Sequence, residues 1–188
     1  MDFVRSVEPG SLELVSGRGH YERVVTALLG AQRSVWIATA NLKELMVEDR
    51  ELALGRRRGF RSVLEVFERL SRRGVELRIL HAGFPSRAFR EHFDRQRALI
   101  EGGLELRMCP RVHLKTVIVD GELLYLGSAN WTGAGLGAKG GDRRNFELGI
   151  VTRDEVMLDE VQALYEHLWR GRPCARCDLR DRCEAPLA

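Results

Sequence analysis

The sequence predicts an α/β fold: a mixed, mostly parallel sheet flanked by helices, with a short cysteine-containing C-terminal tail. Three observations carry this. Stretches with apolar residues at helical spacing alternate with short apolar or period-two runs, in the order helix–strand–helix–strand–helix–strand, as far as residue 108. Glycines close the helical stretches, as they do where a chain turns out of a helix. Asp120-Gly121 then divides two further apolar runs, a common hairpin signal. Strands separated by helices need crossover connections, which place neighbouring strands parallel.

The elements follow in chain order. Residues 21–29 read as a helix, with Val24, Val25, Leu28 and Leu29 on one side and Gly30 as its stop. Residues 34–40 form a buried strand around Val35, Trp36, Ile37 and Ala38. Residues 50–60, crowded with arginine and glycine, read as a loop or a frayed end. A second helix spans 62–73, with Val63, Val66, Phe67 and Leu70 on one face and Gly74 beyond it. Residues 75–80 alternate as a strand does, Ser86 caps a helix running to Ile100, and 104–108 is a third strand. Residues 112–119 and 123–126 form the hairpin, 131–144 a glycine-rich surface loop, and 146–151 another strand. The last helix covers 154–169 behind Asp154 as its cap. No solenoid repeat is visible. The chain divides into a body, 1–170, and a tail, 171–188.

Bulk properties exclude several classes. With 188 residues and 44% hydrophobic content, the chain can bury a core without disulfides. No apolar run approaches the roughly 20 residues of a membrane span. The first ten residues carry acids and a proline and do not read as a signal peptide, so a cytoplasmic location is expected. The net charge of +3 permits a polyanionic partner without requiring one. The only lysines are Lys43, Lys115 and Lys139, and Lys115 falls within the segment that carries the chemistry.

That segment reads His113-x-Lys115, four residues, Asp120, six residues, then Gly127-Ser128-x-Asn130, with Asn145-Phe146-Glu147 further on. On a strand, alternate residues face one way, so His113 and Lys115 project together. A nucleophilic imidazole beside a cation suits attack at phosphorus, because the cation neutralises the non-bridging oxygens. Ser128 and Asn130 share a face as well and supply neutral donors. Glu147 is placed to hold the second ring nitrogen of His113, as the aspartate does in a serine-protease triad. His20, His81, His92 and His167 lack such company and read as surface or helix-end residues.

The spacing H-x-K-x4-D-x6-G-S-x-N resembles the signature of the phospholipase D superfamily, and every position matches. The flanking segments RGVELRIL, GGLELRM and VHLKTVIVDGELLYLGSANWT are similar too, and the likeness runs from Tyr21 to Trp169. The resemblance implies a phosphodiesterase that needs no metal or other cofactor for catalysis. One histidine takes the phosphoryl group, and a second protonates the leaving oxygen and then activates water. This chain has one such motif, which by likeness to single-motif bacterial endonucleases implies a homodimer joined through the active-site face. The same resemblance gives Lys115 and Asn130 to the phosphoryl oxygens, Ser128 to their support, Asp120 to the framework and Glu147 to the orientation of His113.

Cys174-x2-Cys177-x5-Cys183 lies in a tail with little core of its own. In a cytosolic chain this spacing points to zinc or an iron–sulfur cluster rather than disulfides, and both want four ligands. Cys109, four residues before His113, completes the set if the tail folds back. The spacing resembles the cysteine tails of iron–sulfur exonucleases.

For the substrate, arginines at 56–58, 61, 72, 73, 87, 90, 95, 97, 143 and 144 favour nucleic acid, and so does the absence of an amphipathic anchor. Two other readings stay open. One is a phospholipase or phosphatidyl transferase acting on lipids, which an apolar mouth at the cleft would favour. The other is a non-catalytic nucleic-acid-binding module for DNA repair.

Overall fold

The computed structural model describes residues 12–54 and 57–183. The reading of the first ten residues, Arg56 of the arginine run, and the end of the tail lie outside them. The first helical stretch is α1 (Arg18–His20) and α2 (Thr26–Leu29), joined by a π turn over Tyr21–Val25. The other helices are α3 (Val63–Arg72), α4 (Arg87–Phe93) and α5 (Glu155–Trp169). The strands are β1 (Leu12–Ser16), β2 (Ser34–Thr39), β3 (Met46–Leu54), β4 (Arg57–Ser62), β5 (Glu76–His81), β6 (Glu105–Met108), β7 (Thr116–Val119), β8 (Leu123–Gly127) and β9 (Leu148–Thr152).

Seven strands make one sheet in the order β1-β9-β8-β7-β2-β5-β6. It is mixed and helix-flanked, as expected, but the parallel part is smaller than expected. Only β2–β5 and β5–β6 pair in parallel; the other four pairings are antiparallel. Helical crossovers connect the parallel strands, whereas β7 and β8 form a hairpin, and β9 and β1 extend it antiparallel.

Local chemistry explains the ends of the elements. Ser62 caps α3 by accepting from Leu64 N at 3.1 Å, while Glu65 reaches back to Ser62 N at 3.3 Å. Asp154 accepts from Met157 N at 2.8 Å and starts α5. The helix predicted to reach Ile100 stops at Phe93, and a π turn over Leu99–Gly103 follows it. Residues 50–54 and 57–60 are neither a loop nor a frayed end: they belong to β3 and β4, which pair antiparallel and carry the ion pair Arg61–Asp49. That hairpin is made by cross-strand partners, which outweigh the weak strand propensity of its arginines and glycines.

The sheet is covered on both faces. On one, α5 lays Leu158 over Ile118 and Leu124, and Tyr165 and Trp169 over Ala38, Leu80 and Val112. Burying each such side chain contributes about 1.5–3 kcal/mol. On the other face, Val24, Val25 and Leu28 join Phe67 and Leu70 of α3 around Ile37, Val117 and Tyr125. β2, β5 and β8 end at the sheet edge where β7 and β9 begin, which brings five chain ends to one rim.

Candidate active site

That rim holds the motif. His113 and Lys115 lie in an extended segment just ahead of β7, not within the strand as expected. They still meet: Lys115 Nζ donates to the His113 carbonyl at 2.8 Å and stands 3.1 Å from each ring nitrogen. Across the hairpin, Gly127 N donates to the Lys115 carbonyl at 3.1 Å, which sets Ser128 beside this segment. His113 and Ser128 are exposed and Lys115 is half-buried, so a phosphate can reach all three.

Glu147 does not orient His113 directly in this structure. Its carboxylate accepts from Ser128 Oγ in a short hydrogen bond and from Asn145 Nδ2 at 3.0 Å. Among the described residues, the polar partner of the His113 ring is Lys115. Ser128 Oγ in turn accepts from Leu148 N at 3.1 Å, tying the end of β8 to the start of β9.

Asn130 is anchored from a direction the sequence does not announce. Its Oδ1 accepts from Asn41 N at 3.0 Å and from Thr39 Oγ1 at 3.3 Å. Thr39 Oγ1 also accepts from Trp131 N at 2.9 Å. The end of β2 therefore fixes both neighbours of this peptide, and Thr39 and Asn41 join the site. Their signal was positional: they stand at the carboxyl end of a parallel strand, where α/β sheets present their ligand sites.

Asp120 lies at the opposite end of β7. Its carboxylate accepts from the backbone N–H groups of Gln32, Arg33 and Ser34 at 2.6–3.1 Å. Partial burial pushes this carboxyl up, but those three donors outweigh it and hold it below the usual carboxylate range. It braces the hairpin turn and is remote from the rim.

His20 and His81, expected at the surface or at a helix end, are both buried, although His20 does end α1. His20 is fully enclosed between α1 and β8, and His81 is 5% exposed at the end of β5, where its Nδ1 pairs with the Gly83 carbonyl at 2.8 Å. Tertiary packing decides this, and neither helix nor strand periodicity marks them.

The tail does fold back. Cys109, Cys174, Cys177 and Cys183 all border one small cavity beside Arg111 and Arg180. The cysteines form no disulfide, and the metal expectation finds no support in their geometry: among the described residues no three His, Cys, Asp or Glu side chains are grouped to hold an ion. Cys177 instead accepts from Leu179 N and from Arg111 Nη1 at 3.7 Å, which together lower its thiol pKa. An apolar cavity of about 390 Å³ adjoins this region, bordered by Val112, His113, Leu114, Leu164 and Leu168. No helix among the described residues is long and apolar enough to cross a membrane.

Several solved structures share the fold. NucT from Helicobacter pylori superposes with a TM-score of 0.58, is 15% identical, and the match covers 83% of this chain and 93% of that one. Nuc from Salmonella typhimurium, described as a phospholipase D family member, gives a TM-score of 0.58 at 16% identity, covering 85% and 95%. TrmBL2, an archaeal chromatin protein with a novel mode of DNA binding, gives 0.52 at 16% identity, covering 87% of this chain and 54% of that one. No curated protein matches. The family model described as "Cardiolipin synthase, PLD-like domain" matches residues 24–169, which take in every strand of the sheet except β1, the helices from α2 to α5 and every motif residue, so the chain belongs to this phospholipase D-like family.

Proposed function

We propose that the protein hydrolyses phosphodiesters without a catalytic metal, through a phosphohistidine at His113, and that its substrate is nucleic acid. The observation that carries this is the rim itself: an exposed imidazole with an ammonium 3.1 Å away, faced by the Ser128–Glu147 pair. In the proposed reaction a ring nitrogen of His113 attacks phosphorus, and the bond to the leaving oxygen breaks. That oxygen takes a proton from a second histidine. Water, giving its proton back to the same histidine, then cleaves the phosphorus–nitrogen bond. Lys115 and the Asn130 amide stabilise the equatorial oxygens while charge spreads over them.

The second histidine comes from another copy of the chain, because the sequence holds one motif. The site is built around a two-fold axis, with residues 1–170 as the catalytic body and 171–188 as the tail. Phe146 is fully exposed next to Glu147, and Leu148 and Leu14 are 55% and 71% exposed beside it. An apolar surface of this kind at the edge of an incomplete site supports association of two copies.

Nucleic acid is supported by cations on the rim. Lys43, Arg111, Lys139 and Arg143 are exposed on the loops that carry or flank the motif. The arginines further off carry less weight, because Arg72, Arg87 and Arg97 are engaged in i,i+4 ion pairs with glutamates. TrmBL2, which shares the fold, is a DNA-binding protein. The lipid reading has one specific observation in its favour, the apolar cavity of about 390 Å³ against His113.

One experiment separates these readings. Purified protein is incubated in chelator, in the cytoplasmic pH range, with plasmid, single-stranded DNA, RNA and phosphatidylcholine vesicles, with His113→Ala as control. Cleavage of a nucleic acid that His113→Ala abolishes is the expected result. Turnover of the vesicles alone selects the lipid reading. Activity that requires added magnesium, or no activity on any substrate, overturns the proposal.

A further inference from the structure

The polar support of the rim continues into the core, on the side of the sheet opposite α5. Tyr125 is fully buried on β8, and its hydroxyl accepts from Ala129 N at 3.3 Å, inside the turn that carries Ser128 and Asn130. Its ring lies over Gly127 and Gly149, which face each other across β8 and β9; a Cβ on either would collide with it. These two glycines directly precede Ser128 and follow Leu148, so the ring sits under both chain ends of the Ser128–Glu147 pair.

His20 backs this ring. It is 0% exposed and meets Tyr125 edge-on, with ring centroids 5.5 Å apart and planes at 76°. Its Nδ1 pairs with the Gly17 carbonyl at 3.3 Å, and its Nε2 is enclosed with no partner among the described residues. An unpaired buried nitrogen is costly, and a hydrophobic residue of similar volume would avoid the cost. Packing alone therefore does not account for a histidine here.

We propose that His20 is a positioning residue of the active site: through Tyr125 it fixes the Ser128–Asn130 turn and the start of β9, and with them the carboxylate of Glu147. The groups that face it are the Gly17 carbonyl from its own end of the helix, Tyr125 from β8 and the Glu147 carboxylate from the loop before β9. Burial pushes the imidazole pKa down, while the Gly17 carbonyl and Glu147 pull it up. Burial raises Tyr125 to about 12, with Glu147 acting in the same direction and the bond from Ala129 N against it. The role rests on the phosphodiesterase reading above.

The test has an arm that needs no turnover. Imidazole resonances of His20 are titrated by NMR in the wild type and in Glu147→Gln. Loss of the carboxylate shifts the His20 titration to lower pH if the two are coupled across Tyr125. In the kinetic arm, His20→Phe fills the same space without ring nitrogens. The expected result is a kcat lowered about tenfold with KM unchanged and a displaced pH–rate profile, partly restored in His20→Gln. A wild type inactive on every phosphodiester sinks the function but leaves the NMR arm standing. A His20 titration identical in Glu147→Gln overturns the positioning role, as do a kcat and pH profile in His20→Phe that match the wild type.

Discussion

Asn130 Oδ1 accepts the backbone N–H of Asn41 at 3.0 Å, and this bond fixes which end of the Asn130 amide is the oxygen. With the oxygen taken by Asn41 and Thr39, the Nδ2 group is the end left to donate. A donor held in place before the reaction costs no reorganisation when charge develops on phosphorus-bound oxygens. Asn130→Asp keeps the size and the bond to Asn41 but puts an acceptor where the donor stood. We expect kcat to fall about 100- to 1,000-fold with thermal stability nearly unchanged, measured by single-turnover cleavage and differential scanning calorimetry. A loss under threefold would remove Asn130 from transition-state stabilisation. Thr39→Val, which deletes the second partner, should cost less, since Asn41 N still holds the oxygen.

Asp120 and the buried histidines contribute to the acid limb of stability, beside Glu68 and Glu166, which hydrogen bonds also hold below the usual carboxylate range. Asp120 is held below the usual carboxylate range by three backbone N–H groups, against burial. The unfolded chain therefore binds its proton more readily near pH 4, and the stabilisation present above that pH is lost as pH falls through the folded value. His20 and His81 are both lowered by burial, so the unfolded state also takes up their protons first, below about pH 6.5. Unfolding free energy should thus decline in two stages on acidification, one below about 6.5 and one below about 4. Urea titrations at successive pH values measure it. Asp120→Ala should lower stability at pH 7 by about 1–2 kcal/mol and flatten only the second stage. His81→Gln should flatten part of the first.

Much of this architecture is written locally. Ser62 with Glu65, Asp154, and the Asp120-Gly121 turn define their ends through contacts within a few residues, and such contacts are legible in a sequence. So is the motif, because its spacing survives whether or not His113 lies inside β7. What escaped depends on partners far along the chain. Thr39 and Asn41 reach Asn130 across about ninety residues, and His20 reaches Tyr125 from another layer. The β3–β4 hairpin escaped because pairing overrides composition. The cysteines show the converse: their spacing suggested a metal, and they do converge, yet without the grouping an ion requires.

A two-fold site makes an inactive copy poison an active one. If each site needs His113 from both chains, a heterodimer of wild type and His113→Ala has no working site. An equimolar mixture, re-equilibrated through mild denaturant, should retain about one quarter of the activity of the same total wild-type protein. Independent sites would retain about one half. Phe146→Glu and Leu14→Glu should also shift the protein towards monomer by light scattering and lose activity in step, because both lie on the exposed apolar edge. A fully active monomer would contradict the shared site.

The paired glycines of β8 and β9 give the sharpest structural prediction. Gly127 and Gly149 leave room for the Tyr125 ring, and a methyl group on either meets ring atoms of a fully buried side chain. The ring cannot yield freely, since its hydroxyl takes Ala129 N and the His20 ring packs against it. Gly127→Ala and Gly149→Ala should therefore each destabilise the fold by about 1–3 kcal/mol. Activity should fall further than stability explains, because the displaced ring carries the Ser128 turn and the start of β9 with it. Tyr125→Leu in the Gly149→Ala background removes the clash, because the atoms nearest a methyl group there all belong to the Tyr125 ring, so the stability should recover. The Ala129 N–H would still lack its acceptor, so the activity should not. Recovery of both would mean that Tyr125 fills space and nothing more.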